Sequence, residues 1–184
     1  MPSFVYSNRF AMVKPPSAIH SVTTEERTSA IDFVNGQNYI FQEFNHECML
    51  STFLPDAVVY HSEGTLRGHA ALKAFFKASY GRVIPGVCRS ATNHIVDRGE
   101  EDERGIGVIV RYQQYLIRYG WEKDDENATE GKDTIMQEGL PAIWWFGSMV
   151  DRLRMTDAGW KVYERYLGPS FRNSKLDMGQ GAKI

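Results

Sequence analysis

Cysteine is scarce. Cys48 and Cys88 are the only two in 184 residues, too few for a disulfide scaffold or a four-cysteine zinc site. Charge of one sign is lacking as well. Lys and Arg number 21 against 23 Asp and Glu, a formal charge of −2, so nothing draws the chain over long range to nucleic acid or an anionic membrane. No apolar run approaches the ~20 residues that span a bilayer. The start, Met1-Pro2-Ser3-Phe4-Val5-Tyr6, lacks the basic-then-apolar order of a secretory signal. The expectation is a soluble, cytoplasmic protein with no nucleic-acid or membrane partner. What the chain does have is length for one domain with a real core, 42% apolar residues, and aromatic residues at 12%. That aromatic share fills a core or lines a large apolar cavity.

Residues 1–22 read as an arm, because Pro15-Pro16 forbids regular structure there. Thr23, with Glu26 three positions on, has the form of a capping box. Ala30, Phe33, Gln37, Ile40, Phe44 and Cys48 then recur at spacings of three and four, a helical stripe. Gly36 weakens its middle, so one helix or two fit the pattern. Ala57 to Ser62 reads as a strand ended by Glu63-Gly64, and Gly68 to Lys77 as a short helix.

The rest reads as antiparallel sheet: Arg89 to Val96, Ile106 to Trp121, Ala142 to Met155 and Trp160 to Leu167. Asp97 to Arg104 is a charged turn, Thr156 to Gly159 a hairpin turn, and Glu122 to Glu138 a long solvated loop. Residues 169–184 are a tail, and Phe171, Leu176 and Met178 suit it to fold over a cavity mouth as a lid. Helices gathered ahead of consecutive strands give an α+β fold with the helices on one face of the sheet. Strongly curved, such a sheet makes a cone with a pocket inside.

Several chemistries fail on inspection. Gly105-Ile106-Gly107 lacks the third glycine and enters a strand, so it is no dinucleotide site. There is no phosphate loop, no His pair at helical metal spacing and no Gly-x-Ser-x-Gly elbow. What remains is polar residues set in apolar strands. His61 follows Val58-Val59-Tyr60, and His94 sits in Ala91-Thr92-Asn93-His94-Ile95-Val96. Arg111, Gln113, Tyr115 and Tyr119 share one face of the long strand by period-two alternation. Asp151 shares a face with Trp145 and Met149, where a carboxylate has to be paired or hydrogen-bonded. It either pairs across the sheet with Arg111 or Arg152, or converges with the histidines in a cavity.

Two stretches carry a family resemblance. One runs from Phe53-Leu54-Pro55-Asp56 through His61, Gly64 and Gly68 to Ala71-Leu72-Lys73-Ala74-Phe75-Phe76. The other runs from Val150-Asp151-Arg152 to Gly159-Trp160-Lys161. Over residues 25–168 the chain resembles the nuclear-transport-factor-2-like superfamily, in its SnoaL-like polyketide cyclase and scytalone dehydratase branch. The resemblance implies a cystatin-like α+β barrel, that is, a cone of curved antiparallel sheet wrapped over N-terminal helices, a deep pocket, a homodimer through the sheet, and catalysis with no cofactor and no metal. It implies catalytic roles for Asp151, His94, His61 and Tyr115. Arg111, Tyr119, Trp145, Met149 and Phe41 complete the expected substrate-binding set. Phe41-Gln42 stands where the dehydratase has a Tyr-Asp pair, a departure that speaks against that one reaction. The expected function is a cofactor-independent isomerase or cyclase acting by acid–base catalysis on a bulky apolar natural-product intermediate (polyketide, terpenoid or alkaloid), of the fungal secondary-metabolite kind. Two alternatives stand beside it: a non-catalytic hydrophobic-ligand or dimeric adaptor module, and a cofactor-free oxygenase on the same fold.

Overall fold

A computed structural model describes residues 22–79, 87–99, 107–119 and 142–176. The expected arm through residue 21, the expected charged turn from residue 100 on, the long loop at 122–138 and residues 177–184 lie outside them, while Asp97 and Arg98, expected in that turn, still belong to a strand.

Helix α1 (Thr24–Gln42) begins where the capping box predicts. The Glu26 N–H donates to Thr23 Oγ1 at 3.1 Å, and the Thr23 N–H donates to the Glu26 carboxylate at 2.9 Å. Its buried stripe is Ala30, Val34, Gln37 and Phe41. The helix runs straight through Gly36, and the break falls later, at Phe44, whose φ is +57°. Asn45 then starts α2 (His46–Ser51) by accepting from the Glu47 and Cys48 N–H groups. Strand β1 (Phe53–His61) begins earlier than its β-branched run suggests. Glu63-Gly64 does not end the sheet there; it turns the chain back into a short strand, β2 (Gly64–Arg67), with His61 opposite Gly64 and Tyr60 opposite Thr65. Helix α3 (Gly68–Ser79) follows. Four long strands complete the sheet: β3 (Val87–Arg98), β4 (Gly107–Arg118), β5 (Ala142–Thr156) and β6 (Gly159–Arg172).

The sheet order is β2-β1-β6-β5-β4-β3. Strands β3 to β6 form the expected antiparallel meander, while β1 pairs with β6 in parallel. The result is α+β, with the N-terminal helices against one face of a curved, unclosed six-stranded sheet. That inner face carries Val108, Val110, Tyr112, Gln114 and Leu116 of β4, and the core joins them to Ala30, Val34 and Phe41 of α1. Strand β6 continues past the expected end at Leu167, and a short 3-10 turn (Ser174–Leu176) buries Leu176 against Val87, Leu116 and Trp144. Among the described residues no helix is long and apolar enough to cross a membrane.

Candidate functional site

The inner face of the sheet, α1 and α3 enclose a cavity of about 490 Å³, a usual size for a small-molecule site (~300–1,000 Å³). Six Phe and Trp side chains stand in its wall. Phe41 comes from α1, Phe53 from β1, Phe75 and Phe76 from α3, and Trp144 and Trp145 from β5. Both tryptophans reach the wall because the β4–β5 ladder slips by one residue between Leu116 and Ile117. Phe41 packs edge-on to Phe76 with ring centroids 5.6 Å apart. Gln42, the second residue of the departure noted in the sequence, accepts the Arg89 backbone N–H at 2.7 Å and so ties α1 to β3.

Of the residues singled out in the sequence, His61, Phe41, Trp145 and Met149 line the cavity. His61 sits at the end of β1, with its ring 4.8 Å from Phe75. Its Nδ1 accepts the Glu63 backbone N–H at 3.2 Å, which assigns the proton of the neutral ring to Nε2. Desolvation lowers its pKa below the ordinary 6.5, with the Glu63 charge opposing more weakly. The ring is therefore neutral at pH 7.

Asp151 lies on the inner face but behind the cavity wall. It is fully buried, and it pairs with neither of the arginines considered from sequence. Arg165 of β6 holds it with two hydrogen bonds of 2.6 Å, Nε to Oδ1 and a terminal nitrogen to Oδ2. The same guanidinium donates to the Gln37 side-chain oxygen, and Gln37 Nε2 donates to Thr52 Oγ1 at 2.7 Å. Tyr112 Oη completes the set, donating to Asp151 Oδ2 at 3.0 Å. Burial first, and then the Asp151 charge, push the Tyr112 phenol far above its ordinary pKa, so it stays a donor. The group that this network presents to the cavity is Arg165, which lines it with its guanidinium 5.2 Å from the Phe53 centroid.

His94 is joined to this network only through a ring. Between Thr92 and Ile95 the β3–β4 ladder bulges, with Asn93 at φ +55°. The bulge stacks His94 on Tyr112 with centroids 5.7 Å apart. Among the described residues its buried Nε2 has no hydrogen-bond partner, and desolvation lowers its pKa. His94 is not part of the cavity wall among the described residues.

The remaining expected residues are on the other side of the sheet. Alternation does put Arg111, Gln113 and Tyr115 on one face, as read, but it is the outer one. The pairs Ile95↔Arg111 and Tyr115↔Phe146 alternate with Val96↔Val110 and Leu116↔Trp145, whose side chains form the core and the cavity wall. Tyr115 packs against Phe146 with the rings tilted, and Phe146 stacks on Phe171. Arg111 forms a buried ion pair with Asp97, Arg152 pairs with Glu164 at 3.1 Å, and Tyr119 is exposed. Tyr115, Arg111 and Tyr119 therefore do not join the cavity.

Sequence reasoning missed Arg165, Tyr112 and Trp144. Tyr112 was in reach, since it alternates with Val108 and Val110. Arg165 was not. Extending the tight hairpin at Thr156↔Gly159 without interruption sets Asp151 opposite Glu164, and only the slip between Arg152 and Leu153 brings Arg165 there.

A curved, unclosed sheet laid over helices around an aromatic cavity, with His61, Glu63 and Arg165 in the cavity wall, defines an α+β domain with an internal pocket. Residues 22–166 match the SnoaL-like domain family, and the chain belongs to it. Its fold is similar to that of a cystatin-like protein of unknown function from Nostoc punctiforme, with 14% identity over 79% of this chain and 92% of that one, at a TM-score of 0.59. It is similar to a protein from Novosphingobium aromaticivorans provisionally assigned as a scytalone dehydratase (18% identity, 81% and 88% covered, TM-score 0.58). A ketosteroid isomerase-like protein from Erwinia carotovora atroseptica is a third (12% identity, 83% and 99% covered, TM-score 0.53). At such identities the likeness is one of fold. Among curated proteins none matches the sequence.

Proposed function

We propose that the protein is a cofactor-independent isomerase or cyclase that moves protons on a bulky, mostly apolar natural-product intermediate. One observation carries the reading: an aromatic cavity of about 490 Å³ has both a neutral histidine, His61, and a rigidly held guanidinium, Arg165, in its wall. The His61 Nε2–H donates a hydrogen bond to a substrate oxygen, and with Arg165 it stabilises the negative charge that develops there. Glu63, the one carboxylate among the described lining residues, accepts the proton from carbon. Asp151, Gln37 and Tyr112 act one step back, as positioning residues for Arg165. Trp145, Met149 and Phe41 shape the cavity and exclude water.

The test is conversion. An intermediate that accumulates when the gene is deleted should be turned by the purified protein, with nothing added, into an isomer or dehydration product, and His61→Ala should not do it. Tight binding with the compound returned unchanged would instead establish a ligand carrier. The bidentate Asp151–Arg165 pair favours that second reading, because it withholds the buried carboxylate from proton transfer. We infer further that two copies pair through the outer face of the sheet, where Phe171 and Ile143 are exposed along with the Tyr115–Phe146 ring pair.

A further inference from the structure

Two glutamines are buried among the described residues, Gln37 of α1 at 4% exposure and Gln114 of β4 at 2%. They differ in what answers their polar ends. Gln37 is satisfied at both: its side-chain oxygen accepts from Arg165, and its Nε2 donates to Thr52. Gln114 is satisfied at one. Its Nε2 donates to the Tyr115 backbone carbonyl at 3.2 Å, and among the described residues nothing donates to its Oε1. Reversing the amide would set two carbonyl oxygens against each other, so its orientation is fixed.

The surroundings explain the open end. Across the ladders Gln114 faces Ala91 on β3 and Gly147 on β5, neither of which has a polar side chain. The Trp145 indole lies against Gly147, where an added Cβ would meet it. Gln114 therefore stands in the cavity wall close to an aromatic plane, with an acceptor that neither cross-strand neighbour can answer. A buried acceptor without a donor is costly, and a Met would fill the position without that cost. An acceptor kept here matches a donor brought by the ligand.

The sheet sets which part of the ligand that is. His61 follows Tyr60, which faces Tyr166 on β6; one residue on, Leu167 faces Met149, and Met149 faces Tyr112. Gln114 is the next inner-face residue of β4 beyond Tyr112. His61 and Gln114 are thus three strands apart, about 14 Å along the sheet at the usual strand spacing.

We propose that the substrate carries a hydroxyl group that donates to Gln114 Oε1, at the end of its apolar body opposite His61. A hydroxyl fits better than an amine, because an ammonium would be stripped of water against one neutral acceptor. A ketone, ether or carboxylate oxygen has no proton to give and would face the Gln114 lone pairs. The Trp145 indole meets the ring that bears the hydroxyl. The proposal rests on the cavity being the substrate site and adds the substrate's second polar end to that reading.

Two ketones of nearly equal shape test it by titration calorimetry: 6-hydroxy-1-tetralone, and 6-fluoro-1-tetralone, whose fluorine cannot donate. The wild type should bind the hydroxy compound at least about tenfold more tightly, because the fluoro compound leaves a buried acceptor unanswered. In Gln114→Met that preference should fall toward one, with the fluoro compound bound as before. His61→Ala should weaken both probes alike and leave the preference intact, and it carries the test if Gln114→Met fails to fold. Equal binding of the two probes by the wild type overturns the proposal and leaves the cavity reading standing. A preference kept in Gln114→Met, or lost in His61→Ala, overturns it as well, because the hydroxyl then sits elsewhere. Binding of neither probe overturns the proposal together with the reading of the cavity as a ligand site.

Discussion

Asp151 and His61 answer different questions, and substitution separates them. Asp151→Asn leaves the buried Arg165 without its counter-charge, which should cost about 3 kcal/mol in urea unfolding. It should also lower kcat on the order of a hundredfold, because the guanidinium loses its register on the substrate. Adding Arg165→Met to Asp151→Asn should recover stability without recovering activity. Recovery of both would make the pair structural. His61→Ala should do the reverse, lowering kcat by about 10²–10⁴-fold with little change in unfolding. Since burial lowers the His61 pKa and the neutral ring is the working form, activity should hold flat through pH 7–8 and fall only below pH 6.5. An acid limb above that value would assign the step to another group. At this scale the sequence supplied residue types and faces but not depth. His61, Trp145 and Met149 could be read because each stands in an apolar strand pattern that has to face the core, whereas Phe41 came only from the family resemblance, since the stripe read through Phe33, Ile40 and Phe44 missed the buried one through Val34 and Phe41. Tyr115 and Arg111 misled because a strand with apolar residues on both faces gives alternation without saying which face is inside.

At the level of elements, boundaries followed local chemistry wherever that chemistry was complete. The capping box started α1 and the Asp157-Ala158 turn joined β5 to β6 as expected. The short strand β2 was illegible because four residues with a Gly at the start hold no period, and they became a strand only by pairing with β1. Glu26 ties α1 to β3 through Arg98, in contacts of 2.6 Å. That hydrogen-bonded pairing, set against a smaller opposing effect of burial, lowers the Glu26 pKa from 4.5 to about 2. The folded-state pKa is depressed, so the stability it adds is present above pH 4.5 and lost as pH falls toward 2, on the order of 2 kcal/mol for this partly exposed pair. Glu26→Gln should flatten the acid side of the stability curve in that window, and an unchanged curve would refute the link. On β5, a Cβ at Gly147 would come within 2.5 Å of the Trp145 indole and 2.7 Å of Ser170 Cβ. Gly147→Ala should therefore push Trp145 into the cavity, costing about 1–3 kcal/mol and shifting tryptophan emission. An unchanged spectrum with full ligand binding would show that the wall can yield.

For the whole molecule, the outer-face aromatic patch sets the assembly that is expected. Sedimentation at micromolar concentration should show a dimer, and Phe171→Glu should give monomers that keep the fold. A wild-type monomer would leave the patch for another partner. The α+β class was legible from the order of helices and strands, whereas the parallel β1–β6 pairing was not, because it joins segments about a hundred residues apart that no local pattern connects. That pairing also governs how the chain comes together in time. The first half can coil into helices and turn the β1–β2 hairpin as it leaves the ribosome, but β1 has no neighbour on its other edge until β6 has been made. The unit holding His61 and the unit holding Asp151 thus remain separate until nearly the last residues of the fold emerge, and the closing contact is among the least local in the chain. Folding should accordingly be slow for a protein of this size. A nascent chain stopped before Gly159 should expose the open edge of β1 to chaperones, while one carrying β6 closes the sheet in a single late step.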